Sequence, residues 1–142
     1  MLGLIRAEGQ NMLYPRERVL IARMLVALAQ QIHRYWYGHP FIGPQADTFF
    51  PAACVFIAYA EGRPITATDL ASFLGISRNT IVHKLESLVA KGVLRRVGLK
   101  YYIVEDLLND PRSHLQVRKL MKIITNTADQ LRTFPVIPDI DQ

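Results

Sequence analysis

The sequence predicts a mainly α-helical protein of one domain, with a short β-hairpin after two closely spaced helices. Three observations support this prediction. Apolar residues recur at the helical period over most of the chain. Gly75 and Gly92 interrupt that period in the middle of the chain, and β-branched and aromatic residues flank Gly98. The 142 residues, half of them apolar, are sufficient for a single domain (1–142) with its own core.

The first long helix is expected over residues 15–37. Pro15 suits the first helical position, where its missing N–H has no helical partner to lose. The apolar residues of this helix form two adjacent stripes, one of Leu20, Met24 and Ala27 and one of Ile21, Leu25, Leu28 and Ile32. A surface of this width exceeds what a small domain needs to bury along one helix. It favours a dimer interface over the alternative, a central core helix.

A second helix is expected between Asp47 or Thr48, either of which can cap it, and Gly62, which ends it. Its predicted inner face consists of Cys54, Val55, Ile57 and Ala58. Cys54 is the only cysteine, so an intrachain disulfide is excluded and a reducing compartment is expected. Apolar surroundings raise the pKa of a thiol and make it inert, so a redox switch at Cys54 is the less favoured alternative.

Residues 65–91 predict two short helices joined by a tight turn. Thr66 and Asp69 have the spacing of a capping box, which starts a helix. Gly75 supplies the left-handed backbone geometry that ends this helix, and Ser77 is placed to cap the next one. The second of these helices is expected to bury a stripe that consists of Ile81, Leu85, Leu88 and Val89.

The opposite face of that second helix is polar near its N-terminus and carries Asn79, His83, Glu86, Ser87 and Ala90. Two β-rich runs follow, 93–97 and 101–104, and predict a two-stranded hairpin. Polar side chains near a helix N-terminus can bind base edges in a major groove, and basic side chains on a hairpin can bind DNA phosphates. The expected base-edge contacts are Asn79, Thr80 and His83. The expected phosphate contacts are Ser77, Arg78, Lys84, Arg95, Arg96 and Lys100.

Positive charge is concentrated in the same region. The whole chain has a formal net charge of +5 and a pI near 9.6. Residues 77–104 alone also have a formal net charge of +5, because Glu86 is the only acid among the bases Arg78, Lys84, Lys91, Arg95, Arg96 and Lys100. The rest of the chain is close to neutral. This distribution favours a nucleic-acid partner over a basic face that is merely solvated.

This region resembles the winged helix-turn-helix of bacterial MarR-type transcriptional regulators. The resemblance rests on Leu70, Ala71, Leu74, Gly75, Ile76, Ser77, Thr80, Ile81, Leu85, Leu88, Gly92, Leu94 and Arg96. It implies a three-helix core with a β-hairpin wing over residues 47–104, and a homodimer that binds a pseudo-palindromic operator. It also implies that Ser77, Asn79, Thr80 and His83 contact bases and phosphates, that Arg96 lies on the wing, and that a small-molecule effector or an oxidant releases the DNA.

The last helix is expected over residues 110–133, with Asp110 as cap and Pro111 in its preferred first position. Its apolar stripe consists of Val117, Leu120, Met121, Ile124, Ala128 and Leu131. We expect this stripe to pack on the first helix, within or across protomers, so that helices 15–37 and 110–133 form the dimerisation part. The segment 134–138 is extended because of its prolines, and either packs on the partner subunit or lies free.

Several kinds of site are not expected. No glycine-rich phosphate loop, nucleophile elbow or HExxH motif is present, and the carboxylates are scattered, so we do not expect an enzyme. His33 and His39 lack partners at metal-ligand spacing, so no metal or other cofactor is expected. Their aromatic segment is interpreted as core at a helix junction, with a ligand pocket as the alternative. No signal or membrane-spanning run is evident, which suggests a soluble cytoplasmic protein.

Together these features predict a homodimeric, sequence-specific DNA-binding transcriptional regulator acting on double-stranded DNA. The alternative from another class is a winged-helix module that binds partner proteins and never DNA. Val82 and Leu99 would support such a contact. The clustering of bases on the helix and hairpin favours the DNA-binding hypothesis.

Overall fold

The computed structural model describes residues 12–37 and 47–139. The described residues form six helices and a small three-stranded sheet, which confirms a mainly helical fold. In chain order the elements are α1 (Pro15–Tyr37), α2 (Phe49–Ala60), β1 (Ile65–Thr66), α3 (Ala67–Leu74), α4 (Arg78–Ala90), β2 (Leu94–Val97), β3 (Lys100–Ile103), α5 (Glu105–Leu108) and α6 (Pro111–Leu131). They group into two compact units, one of residues 12–37 and 114–139 and one of residues 47–113.

The predicted ends of α3 and α4 are confirmed by their hydrogen bonds. The Thr66 Oγ1 accepts a bond of 3.2 Å from the Asp69 amide and caps α3. Gly75 has a φ of 68°, and the Ile76 amide donates to the Ala71 carbonyl oxygen at 3.1 Å, as in a Schellman ending. The α4 cap is Ser77, whose Oγ accepts from the Thr80 amide at 3.3 Å.

The sheet contains one strand more than the predicted hairpin. β3 lies between β2 and β1, and both neighbours are antiparallel to it. Ile65 pairs with Tyr101, and Thr66 pairs with Lys100. The predicted hairpin is confirmed as β2–β3, and β1 is an additional strand that the prediction did not include. A two-residue strand is too short to show alternation in the sequence, and Thr66 is extended because it also caps α3.

The turn between β2 and β3 has only two residues. Val97 pairs with Lys100, so Gly98 and Leu99 form the loop. Gly98 has a φ of 63°, whereas Leu99 is not among the residues with positive φ. This combination corresponds to a type II′ turn, which suits the twist of a tight antiparallel hairpin. The predicted hairpin around residues 98–100 is thus present, with a shorter loop than expected.

The core of unit 47–113 lies between α2, α3, α4 and the sheet. Leu70, Ile81 and Leu85 are fully buried, and Leu88 and Leu94 nearly so. Tyr101 and Ile103 of β3 join the same cluster, and Val55 is its contribution from α2. Burying each large aliphatic side chain stabilises the fold by about 1.5–3 kcal/mol. The α4 stripe is confirmed at its first three positions, and its last member, Val89, is only partly buried.

The inner face of α2 is narrower than predicted. Val55 is completely buried and Cys54 partly so, but Ile57 is more than half exposed. The prediction for Ile57 is therefore wrong. Helix α2 is apolar on nearly all sides, so its sequence does not distinguish the buried face from the exposed one.

In the other unit, α1 contacts α6 through polar side chains and contacts the segment after α6 through an aromatic ring. The Gln31 Nε2 donates to the Gln116 Oε1 at 3.3 Å, and the Arg16 guanidinium lies 4.7 Å from the centre of the Phe134 ring. Gln116 and Thr127 are the buried residues of α6. The inward face of α6 is therefore rotated by about one residue from the predicted stripe.

As a result, part of the predicted apolar surface of each long helix is exposed in the single chain, together with apolar residues outside the predicted stripes. On α1 the exposed residues are Ile21, Leu25 and Val26. On α6 they are Leu115, Val117, Met121 and Ile124. The predicted bounds of both helices agree with the structure to within two residues. The hairpin is followed by the short helix α5, which is not among the predicted helices.

The remaining predictions about segments have mixed outcomes. The stretch 134–138 has no regular secondary structure, with Phe134 against Arg16 and Val136 almost fully exposed. His33 is buried, and its Nδ1 lies 2.8 Å from the Ala29 carbonyl oxygen. His39 and the rest of the aromatic segment beyond Tyr37 lie outside the described residues. Within residues 12–37 and 47–139, no helix combines the length and apolarity needed to cross a bilayer.

Candidate nucleic-acid interface

The N-terminal turns of α4 present a row of exposed polar side chains. Ser77, Arg78, Asn79, Thr80 and His83 are all exposed. The Ser77 hydroxyl donates to the Thr80 Oγ1 at 2.8 Å in addition to capping the helix. The Arg78 Nε donates to Thr68 Oγ1 of α3 at 3.0 Å. The five predicted contact residues therefore lie in the exposed N-terminal turns of α4, where Ser77, Arg78 and Thr80 also hydrogen-bond within the protein.

The hairpin carries the second group of predicted residues, and Arg95, Arg96 and Lys100 are all exposed. The Arg95 guanidinium lies 4.8 Å from the centre of the Tyr102 ring, a cation–π contact that orders the arginine while leaving it at the surface. The Tyr102 ring in turn meets Tyr59 of α2 edge-on at 6.2 Å. This contact chain attaches the outer face of the hairpin to α2.

Lys84 differs from the other predicted contact residues. Its ammonium donates to the Asp47 Oδ2 at 2.7 Å, and only 15% of the Lys84 side chain is exposed. The hydrogen bond to Lys84 is the main reason why the pKa of Asp47 lies below its ordinary value. This pair joins α4 to the residue just before α2. The geometry therefore favours a structural role for Lys84, and its predicted phosphate contact gains no support.

Glu86 connects α4 to the base of the hairpin. Its Oε1 accepts a hydrogen bond of 2.9 Å from the Tyr101 hydroxyl and lies 3.3 Å from the Arg96 Nη1. Burial raises the pKa of Tyr101, and the hydrogen bond to Glu86 raises it further. The side chains of Glu86 and Arg96 are both about half exposed. The cluster of these three residues thus connects the hairpin to the polar face of α4.

Two of these residues were missed as functional candidates from the sequence. The sequence prediction puts Glu86 on the polar face of α4 without a role, and it gives Asp47 a role only as a cap for α2. A signal existed for Glu86, since it is the single acid in the basic stretch 77–104. None existed for Asp47, which is 37 residues from Lys84.

The described residues offer little for metal or redox chemistry. Among residues 12–37 and 47–139, no three His, Cys, Asp or Glu side chains are placed to hold a metal ion. Burial raises the pKa of the Cys54 thiol, which lowers the fraction of reactive thiolate at neutral pH. The prominent feature of the surface formed by α4 and the hairpin is positive charge beside exposed hydrogen-bonding side chains.

Comparisons of the chain with protein-family models, with characterised proteins and with solved structures give no match. Functional inference therefore rests on the residues and geometry described above.

Proposed function

We propose that the protein is a sequence-specific DNA-binding transcriptional regulator that acts as a homodimer on a pseudo-palindromic operator. In this proposal residues 47–104 form a winged helix-turn-helix of the MarR type, with α4 as recognition helix and β2–β3 as wing. The main supporting observation is that a row of exposed polar side chains on α4 lies beside exposed arginine and lysine side chains on the adjoining hairpin. Such a surface offers hydrogen bonds to base edges and charge to phosphates.

The proposal divides the contacts between two roles. Asn79, Thr80 and His83 contact base edges in the major groove, where asparagine pairs well with adenine. Arg78, Arg95 and Lys100 contact phosphates on either side, and they fix the position of the protein on the duplex without reading its sequence. Ser77 both caps α4 and lies where its helix meets the backbone of the DNA.

The exposed apolar side chains of α1 and α6 support the homodimer. Leu25 and Met121 are each more than half exposed, with apolar neighbours one or two helical turns away on the same helices. An apolar surface of this extent on long amphipathic helices is typical of an interface between protomers. Two-fold symmetry would then set the two copies of α4 in successive major grooves, about 34 Å apart.

The first experiment measures binding to random-sequence duplex DNA across a salt series, with the stoichiometry obtained from the same titration. We expect affinity to fall steeply with salt and two chains to bind per site. Lys100→Gln should reduce the slope of log affinity against log salt by about one, and the matched control Lys119→Gln on α6 should leave it unchanged. Absence of binding at low salt would refute the proposal.

Once an operator has been selected from the random pool, Asn79→Ala tests the base contacts. We expect it to reduce discrimination by about 1–3 kcal/mol at one base pair in each half-site, and to leave non-specific affinity nearly intact. An unchanged sequence preference would mean that α4 contacts bases through other residues.

The dimer is tested separately from DNA binding. Met121→Lys places a charge in the exposed apolar surface of α6, where it should dissociate the dimer while the helical circular dichroism is retained. Sedimentation equilibrium distinguishes the two states. If the Met121→Lys variant dimerises with the same dissociation constant as the wild type, this surface is excluded as the interface.

A second candidate function is a winged-helix module that binds partner proteins. Leu99 at the tip of the hairpin is 75% exposed, and Phe73 of α3 is similarly exposed, so apolar contacts are available. This function predicts no DNA affinity at low salt and no effect of Lys100→Gln. The salt series therefore decides between the two candidates.

A further inference from the structure

Glu86 stands out on the proposed recognition surface because it is the only acid within the basic stretch 77–104. It lies three residues after His83 and seven after Asn79, which places all three on one face of α4. The distance along the helix from Asn79 to Glu86 is about 10 Å, or two turns. In the proposed complex a carboxylate on this face would lie close to the negatively charged DNA. It would oppose binding unless it accepted a hydrogen bond from a donor on the DNA.

The contacts of Glu86 leave part of its carboxylate available. The Tyr101 hydroxyl and the Arg96 guanidinium both contact the same oxygen, Oε1. Within the described part of the chain, no donor is bonded to the other oxygen, Oε2. The Glu86 side chain is 41% exposed. The bond from the mostly buried Tyr101 hydroxyl restrains the orientation of the carboxylate, so that Oε2 remains as an oriented acceptor at the surface.

The ion pair with Arg96 is readily exchanged. Both side chains are about half exposed, and pairs of this kind contribute little net stability. A phosphate can therefore take over the Arg96 guanidinium when DNA binds. The carboxylate is then left without its positive partner, and its energy depends on which base edge it faces.

We infer that Glu86 is a specificity-determining residue, which accepts a hydrogen bond from the exocyclic amino group of a base in the major groove. Cytosine N4 is the preferred donor, and adenine N6 offers the same chemistry. The carbonyl edges of guanine and thymine repel the carboxylate. Glu86 therefore lowers affinity for most sequences and permits tight binding only where an amino group is present. This inference rests on the proposed function of DNA binding.

The test compares Glu86→Gln and Glu86→Asp with wild type on the selected operator and on random duplex. Glu86→Gln removes the charge but keeps an acceptor for the Tyr101 hydroxyl. We expect it to bind random duplex several-fold more tightly and to lose about tenfold or more of the preference at one base pair per half-site. Glu86→Asp keeps the charge and shortens the reach, so it should lose the preference without gaining random-sequence affinity.

Tyr101→Phe provides the matched structural control. It removes the hydroxyl that orients Oε1 but keeps the charge of Glu86 and the buried ring. If Glu86 acted only by positioning the hairpin through Tyr101, Tyr101→Phe would lose the base-pair preference while Glu86→Gln, which keeps that hydrogen bond, would retain it, and the inference would be overturned. It would equally be overturned if both Glu86 variants retained the wild-type preference. Failure of wild type to bind any DNA would instead refute the proposed function.

Discussion

The ion pair between Lys84 and Asp47 predicts that replacing the exposed partner destabilises the protein more than replacing the buried one. Lys84 is 15% exposed and Asp47 is 61% exposed, and their N–O distance is 2.7 Å. Asp47→Ala leaves the ammonium of a largely buried side chain without its anion, which should cost about 1–3 kcal/mol of unfolding free energy. Lys84→Met keeps the apolar stem and leaves Asp47 in water, so it should cost less than about 1 kcal/mol. Removing the exposed partner should thus be worse than removing the buried one.

Urea unfolding of the two single variants and the double variant measures these values. Asp47 also lies just before the N-terminus of α2, where a negative charge is favourable by itself. Asp47→Ala in the Lys84→Met background isolates that contribution, which should be about 0.5 kcal/mol or less. If Lys84→Met destabilises the protein as much as Asp47→Ala does, the asymmetry of burial does not control the pair and the reasoning fails.

The same pair has a defined dependence on pH. The pKa of Asp47 is lowered in the folded protein, mainly by its hydrogen bond to Lys84. Folding therefore favours the ionised carboxylate, and the stabilisation is fully present above the pKa of the unfolded chain. It is lost as the pH falls through the lower pKa of the folded state. The difference in unfolding free energy between wild type and Asp47→Ala should accordingly be largest near neutral pH and shrink in acid.

Three further changes test the scaffold that positions the interface. Leu85→Ala removes a fully buried side chain of α4 and should cost about 2–5 kcal/mol in urea unfolding; a loss below 1 kcal/mol would contradict the core assignment. Ser77→Ala removes the α4 cap and should cost about 1 kcal/mol, whereas Ser77→Asn should retain most of the stability. Gly98→Ala strains the positive φ of the hairpin turn and should destabilise the protein by about 1 kcal/mol, while Leu99→Ala beside it should be neutral.

Much of the local structure could be predicted from the sequence because it depends on neighbouring residues. The caps at Thr66 and Ser77 and the glycine ending at Gly75 each act within one helical turn. The period of Ile81, Leu85 and Leu88 likewise identifies the buried face of α4 without knowledge of its partners. The polar face with Asn79 and His83 follows from the same geometry, since it lies opposite the stripe.

Where apolar residues surround a helix, the sequence left the inward face undetermined. Helix α2 is apolar all round, and Ile57 proved exposed where Val55 is buried. On α6 the polar residues Gln116 and Thr127 face inward, displaced by one residue from the predicted stripe. Periodicity reports that a helix has an apolar side, but it does not report which neighbour covers that side or whether the neighbour belongs to the same chain.

The charged side chains of the candidate interface show what only the tertiary structure decides. All the basic residues of 77–104 are equivalent in a count of charge, yet the largely buried side chain of Lys84 is paired with an exposed residue 37 positions away. Arg96 lies beside Glu86 because the strand pairing places β2 and Tyr101 of β3 against α4. Secondary structure depends on contacts between near neighbours, whereas the availability of each charge depends on contacts between distant ones, and those exist only once the chain has folded.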